Sequence, residues 1–274
     1  MRQKLQNAHR HLSRFGVVPF ARYAKIRYVV RPYHRRLNTP LPDMTPYDTA
    51  IRGKHGLEIG GPSYFFRADG QLPLYGRVGS MDNCNYATTT FWEGEIKTDE
   101  FTVEGRTLGR QFPAEATLID SAAPNPPYEF IVSSNCIEHI ANPLKAFRAM
   151  AAILAPGGSL IAVLPRKETN FDHRRKVTEF SHLLEDFGKD VPETDSTHRA
   201  EFAESFDISL AHFIPSREKF LEMIEDNIKT RYMHHHVFDL GLLRQCVAFA
   251  GLETIDARSA GTDYVILARK PEAG

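Results

Sequence analysis

Long apolar runs are missing from this chain. No stretch approaches the ~20 residues that a membrane-spanning helix requires, which excludes a helical membrane protein. The N-terminus is basic but lacks the continuous apolar core and small-residue cleavage site of a secretory signal, so a cytoplasmic location is expected. Cysteine is scarce as well. Cys84, Cys136 and Cys246 are odd in number, far apart and without CxxC spacing, which argues against a disulfide framework or a cysteine zinc site and leaves reduced, structural thiols. There is no internal repeat and no low-complexity segment. Acidic residues are absent from residues 1–36, which carry ten Lys or Arg, so a formal net charge of zero conceals a body of net charge minus ten.

The basic segment, interleaved with Leu12, Phe15, Phe20, Tyr23 and Ile26, reads as a distinct arm. It can pack on the acidic body as a helical flap, or make peripheral contact with an anionic membrane surface or a phosphorylated partner. The apolar residues are not cleanly periodic, which favours the flap. Pro32, Pro40, Pro42 and Pro46 mark a linker, giving a basic arm and linker over residues 1–50 and one folded domain over 51–274. A composition of 42% hydrophobic residues suffices for a sizeable core there.

Within that domain the most informative segment is Gly56-Leu57-Glu58-Ile59-Gly60-Gly61-Pro62-Ser63, where an apolar strand ends in an acid and paired glycines. Such a pair lets the backbone turn tightly and approach a ligand where a Cβ would collide. Roughly 20 residues on, Val78-Gly79-Ser80-Met81-Asp82 offers a second strand with a carboxylate, the spacing at which a doubly wound sheet meets a ribose. A later strand and polar turn run from Tyr128 to His139, and Leu154 to Pro165 closes a helix and starts another strand. Strands are expected near 56–59, 77–81, 116–119, 129–133, 159–164, 252–257 and 264–269, and helices near 142–154, 216–228 and 239–250. This alternation predicts an α/β fold: a Rossmann-like, doubly wound, mostly parallel seven-stranded sheet that gathers ligands at the carboxyl ends of its strands. Residues 166–236 interrupt it before the last helix and read as a substrate lid.

These motifs together, "LEIGGPS" and "SSNxIEHI" followed by "NPLKAFR" and "PGG", resemble the class I S-adenosylmethionine-dependent methyltransferases, in a type 11-like branch. The resemblance runs from about Gly56 to Lys270. It departs from the family where a third glycine is usual and this chain has Pro62-Ser63. It implies S-adenosylmethionine as cofactor, with Gly60, Gly61, Pro62 and Ser63 forming the loop around its amino-acid tail. Glu58 then orders that loop or meets the tail amine through solvent. Asp82, with Asn83 beside it, is the expected ribose ligand, a helix N-cap being the alternative. Asp120-Ser121 resembles the adenine-edge pair, although a solvated turn fits it nearly as well. Ser134 and Asn135 are implied to face the methionine tail and the acceptor, and Tyr64, Phe65 and Phe66 either line the cofactor side or belong to the core.

Asn125-Pro126-Pro127-Tyr128 has the letters of the motif with which base-modifying amino-methyltransferases hold a flipped base. It precedes the fourth strand instead of following it, so it reads as a Pro-rich turn, and nucleic acid is not the expected partner. Methyl transfer to a hydroxyl benefits from a base, and histidine suits that role near neutral pH. His139 in the "EH" turn is one candidate, a backbone-bonded helix start its alternative. His234, His235 and His236 are others, with His235 and His236 put forward, because the resembled branch borders its acceptor pocket with a similar "HHHVF" segment. No HxxxH or Cys/His grouping accompanies them, so no metal ligand is assigned. Arg174 and Arg175, with His182 further along the insertion, are expected to hold an acceptor, either anionic or hydroxyl-rich; a solvated helix start is the bland reading. The expected activity is methylation of a hydroxyl on a small polar acceptor, saccharide-type or anionic. The alternatives are nucleic-acid methylation through the arm, or a non-catalytic interaction protein on a cofactor fold.

Overall fold

Two apolar runs, Leu57–Ile59 and Phe130–Val132, become neighbouring strands at the centre of one sheet. In the computed structural model, which describes residues 39–90, 94–96, 98–211 and 214–272, helix α1 (Thr45–Ile51) leads into β1 (His55–Ile59) and β2 (Ser80–Asn85). A two-stranded ladder of β3 (Thr89–Thr90) and β4 (Gly94–Glu95) follows, then β5 (Glu100–Val103), β6 (Arg106–Pro113), the short α2 (Ile119–Ala122) and β7 (Tyr128–Ser134). Next come α3 (Pro143–Ile153), β8 (Leu154–Pro165), the insertion helices α4 (Phe180–Gly188), α5 (Arg199–Ser205), α6 (Arg217–Glu225) and α7 (Asn227–Thr230), and finally α8 (Leu240–Phe249), β9 (Glu253–Ala260) and β10 (Asp263–Arg269).

The main sheet has eight strands in the order β5-β6-β2-β1-β7-β8-β10-β9. Its five central strands, β6 through β8, are parallel, and antiparallel partners close both sides, β5 on β6 and the β10–β9 pair on β8. The expected doubly wound sheet is therefore present, with eight strands in place of seven.

Strand alternation distributes the core over both faces. Leu57, Ile59, Ile131, Leu160 and Ala162 join Leu144 and Phe147 of α3 and Leu243 and Val247 of α8 in one cluster. Phe130, Val132, Ile161 and Val163 face the opposite way, against Tyr47, Ala50 and Ile51 of α1. Full burial of a side chain such as Leu144 or Phe147 stabilises by about 1.5–3 kcal/mol. Capping sets where these helices start. Asn142 accepts from the Lys145 amide with Pro143 in the first turn, and Asp239 accepts from Leu242 N at 2.8 Å.

Residues Pro40–Gly274 form one compact unit, so α1, expected as linker, belongs to the body, where Tyr47 OH donates to Asp256 at 2.6 Å. The basic arm of residues 1–36 lies outside the described residues. Among those described, no helix is long and apolar enough to cross a membrane.

Two expected strands are displaced. Residues 116–119 are a single 3-10 turn running into α2, and the strand before them is Arg106–Pro113, whose polar, half-exposed sequence hides its periodicity. The strand placed at 77–81 begins instead at Ser80 and continues to Asn85, because Asn83 and Asn85 are buried and hydrogen-bonded inside it. The insertion, read above as a substrate lid, is a packed subdomain. Phe171, Phe202, Phe206, Phe220 and Tyr232 form a core of their own there, with Phe206 stacked on Phe220 at 4.0 Å between ring centroids.

Candidate active site

Parallel strands direct their carboxyl ends to one edge, and the glycine turn lies there. Gly60 and Gly61 have φ of +81° and +82°, a region that glycine enters without steric cost. A Cβ on Gly61 would lie 2.3 Å from Glu58 Oε1. The buried Glu58 carboxylate is the hub of the turn: it accepts from Tyr75 OH at 2.9 Å and from Ser63 N at 3.2 Å. Asn83 Nδ2 donates to the Gly60 carbonyl at 2.6 Å, and Asn85 Nδ2 donates to the Gly61 carbonyl at 3.1 Å and to Asn83 Oδ1 at 2.8 Å. Two asparagines of β2 thus fix the loop from below, while Pro62 and Ser63 stay half-exposed above it. Ser63 caps the 3-10 turn Tyr64–Phe66, in which Phe65 and Phe66 belong to the core and Tyr64 faces solvent.

Asp82 does not end its strand. It sits opposite Leu57, 1% exposed, and its oxygens take three donors: Arg110 N at 2.8 Å, Asn125 Nδ2 at 2.8 Å and Tyr128 OH at 2.9 Å. A carboxylate enclosed in this way holds sheet to turn and is not presented to a ribose. The same bonds explain Asn125-Pro126-Pro127-Tyr128: its two polar side chains anchor the turn on Asp82. Asp120 and Ser121 are exposed on α2, and Ser121 Oγ caps back on Leu118 O. The strand-end positions they were expected to fill are held by Ala114 and Glu115 after β6, and by Tyr86 after β2. A pocket of about 190 Å³ opens beside them, lined among others by Tyr86, Glu115, Thr117, Asp190, Glu193 and Thr194. At the end of β7, Asn135 is exposed with φ +49°, next to the buried Ser134.

Beyond Asn135 the chain places a group of titratable side chains. His234 Nδ1 pairs with Asp172 Oδ2 at 2.5 Å, and both residues are buried. The His139 and His234 rings meet edge to face at 4.5 Å, and one nitrogen of each and a Glu138 carboxylate oxygen lie within 4.8 Å of one another. His139 Nδ1 bonds the Met233 carbonyl at 3.1 Å. Burial pushes Glu138 up to about 7, against the opposing pull of His234. Burial also raises Asp263, at the start of β10, to about 6. Burial acts the same way on Asp172, but His234 and Arg175 outweigh it and hold that carboxyl below its ordinary value. Burial, then the neighbouring His234, drive His139 well below the usual histidine range. The pair is therefore an ionised Asp172 accepting from His234 Nδ1.

Arg175 was expected to meet the acceptor. It is 3% exposed, donating to Asp172 at 3.1 Å and to the carbonyls of His234 and His235 at 2.9 and 3.0 Å, with Phe202 under its guanidinium. It positions the dyad. Arg174 is exposed and pairs with Asp207 at 3.3 Å. His235 and His236 are fully enclosed: His235 Nδ1 faces Asp195 at 3.7 Å, and His236 Nε2 bonds the Ala141 carbonyl at 3.1 Å. His182 lies on α4 against His198 and Asp186. Of the expected histidines, His139 and His234, the first of the "HHH" run, join the group beside β7 and His235 and His236 do not, and Asp172 is the member that sequence reasoning passed over.

A family model described as a methyltransferase domain matches residues 43–257, and the chain belongs to that family. The matched region is a methyltransferase domain, and the sheet that carries it is Rossmann-like. No match was found among curated proteins. Similar solved structures include an O-methyltransferase family protein from Burkholderia thailandensis, 12% identical with a TM-score of 0.46, over 93% of this chain and 60% of that one. The chain thus spans less than two thirds of that protein. Others are the N-methyltransferase NodS from Bradyrhizobium japonicum WM9, 13% identical, TM-score 0.45, covering 90% of this chain and 99% of that one, and an S-adenosylmethionine-dependent methyltransferase from Aquifex aeolicus, 13% identical, TM-score 0.43, covering 90% and 97%.

Proposed function

We propose that this enzyme methylates a hydroxyl group of a small, polar, saccharide-type acceptor, and that the Asp172–His234 pair takes the proton. The observation that carries the reading is this pair, buried beside His139 and Glu138 just past the carboxyl end of β7. A hydroxyl is a weak nucleophile until a base receives its proton, whereas an ionised carboxylate needs no base. Three carboxyl groups, Glu138, Asp172 and Asp263, share the neighbourhood, and the arginines expected to bind an anion are committed to protein partners. The electrostatics therefore favour a neutral, hydroxyl-rich acceptor over an anionic one.

The strand ends fit the cofactor: paired glycines in left-handed conformation turn the chain tightly over Glu58, which fills the space a Gly61 side chain would take, while Asn83 and Asn85 tie the loop from below. Gly60–Ser63 would hold the amino-acid tail, Asn85 and Tyr86 the ribose, Ala114 and Glu115 the adenine edge, and Ser134 and Asn135 the side toward the acceptor. When bound, S-adenosylmethionine supplies an electrophilic methyl on a sulfonium. The protein's part is to align the hydroxyl behind that methyl and exclude water, while His234, its tautomer fixed by Asp172, accepts the proton.

Incubating the enzyme with isotope-labelled donor and a panel of neutral saccharides and extract fractions, then locating the label by mass analysis, tests the acceptor class. In single turnover, Asp172→Asn and His234→Gln should each slow transfer by about 10²–10⁴-fold with cofactor affinity unchanged. Label found on nitrogen or carboxylate, or variants that turn over at the wild-type rate, would overturn the reading.

A further inference from the structure

A second convergence of histidines lies in the insertion, separate from the Glu138–His139–His234 group. His182 and Asp186, one turn apart on α4, face His198, which immediately precedes α5. His182 Nε2 is 3.0 Å from His198 Nε2 and 3.4 Å from Asp186 Oδ2. Asp186 is buried, and its Oδ2 has no hydrogen-bond partner among the described residues. Two imidazole nitrogens and an unpartnered carboxylate oxygen thus point at one small volume. Ligands at 2.0–2.2 Å from a tetrahedral ion stand about 3.3–3.6 Å apart, close to the two separations seen here.

We propose that His182, Asp186 and His198 bind one divalent transition-metal ion of the zinc class. The surroundings agree with that chemistry. Metal-bound imidazoles commonly direct their second nitrogen to a carboxylate, which fixes the ring. His198 Nδ1 faces Glu201 Oε2 at 3.7 Å, and Glu201 is itself held by Arg175 at 3.2 Å. His236 closes the inner side: its Nε2 is 3.7 Å from Asp186 Oδ2, but its bond to the Ala141 carbonyl at 3.1 Å makes it a neighbour rather than a ligand. His182 is the outermost member, its side chain 39% exposed, which leaves an approach for the ion and a fourth, solvent-filled position. Between Asp186 and His198 runs the segment whose Asp190, Glu193 and Thr194 line the pocket beside Tyr86 and Glu115. A metal here clips both ends of that wall to the body, so occupancy sets the shape of the pocket.

The test uses the full chain, freed of metal with a chelator and titrated with Zn²⁺ by calorimetry and with Co²⁺ by visible absorption. One saturable equivalent is expected, together with a cobalt d–d spectrum of mixed nitrogen and oxygen ligation and a melting temperature that rises with metal. His182→Ala and His198→Ala should each weaken binding at least 100-fold, and Glu201→Gln about 10-fold. Variants are compared after circular dichroism confirms that they fold; the cobalt spectrum and stoichiometry of the unaltered protein decide the matter if they do not. Absence of saturable binding by the unaltered protein, or binding that survives removal of both histidines, would mean that the two rings only share a proton, and the proposal falls.

Discussion

Glu138→Gln should stabilise this protein at alkaline pH. Glu138 is 2% exposed, one of its oxygens has no hydrogen-bond partner among the described residues, and burial lifts its pKa from an ordinary 4.5 to about 7. A carboxyl whose folded pKa is raised binds more protons folded than unfolded, so its contribution is fully favourable below about pH 4.5 and is lost as pH climbs through about 7. Above that range the cost of ionising the buried group is about 3 kcal/mol, at 1.36 kcal/mol per pKa unit. Glutamine has nearly the same shape and never ionises. Allowing for local relaxation, the variant should gain about 1–3 kcal/mol at pH 8, which for a body of this size raises the melting temperature by about 2–10 °C. Most of that gain should develop between pH 5 and pH 8. Thermal melts of both proteins across this range measure it directly. If the variant is no more stable at pH 8, or its advantage is the same at both ends, Glu138 is ionised and paired with His234, and the reasoning from burial is wrong. Since Glu138 borders the dyad, the gain in stability should accompany slower methyl transfer, the usual trade at a strained site.

Two further substitution pairs separate structural from functional roles. Asp82→Asn should lower stability by about 1–3 kcal/mol, since one acceptor of a three-donor set becomes a donor, while calorimetric affinity for S-adenosylmethionine changes little; Asn85→Ala should weaken that affinity through the Gly61 carbonyl it holds. Arg175→Ala should cost about 3–5 kcal/mol in denaturant unfolding because it leaves Asp172 and two carbonyls buried without their donor, whereas the exposed Arg174→Ala should shift stability by less than about 0.5 kcal/mol.

The glycine turn and the central strands were legible because one local rule produces each. A glycine pair after an apolar run has few alternatives, and Phe130–Val132 is apolar at every position because both faces of a central strand are covered. The strand Arg106–Pro113, between β5 and β2, was not legible: its pairing with β2 is carried by backbone bonds and the Gln111–Asn83 contact, neither of which requires an apolar pattern. Asp82 misled for a related reason. Spacing places an acid near a strand end but does not show whether the strand stops there, and β2 continues for three more residues on buried asparagines.

The proposed proton-transfer group illustrates a different limit. Asp172 and His234 are 62 residues apart and meet only because the insertion folds around its own aromatic core, returning the segment before α8 to the end of β7. Nothing local in "FDH" or "HHH" encodes that meeting. One signal was available, however. In extended chain, alternate residues share a side, so three consecutive histidines cannot all serve one site. The structure divides them by role: His234 pairs with Asp172, His235 faces Asp195, and His236 bonds Ala141 beside the His182–Asp186 pair. Alternation sets His235 apart but would leave His234 and His236 on one side; the one-turn spacing of His182 and Asp186 on a single helix face is what marks a metal-type group apart from the proton-transfer group. That division predicts that the two sites respond independently. Chelation should change melting temperature and pocket binding while leaving the Asp172–His234 pair in place, and Asp172→Asn should slow transfer without releasing metal. If chelation instead abolished the chemical step in single turnover while cofactor and acceptor still bound normally, the insertion would hold one site and not two.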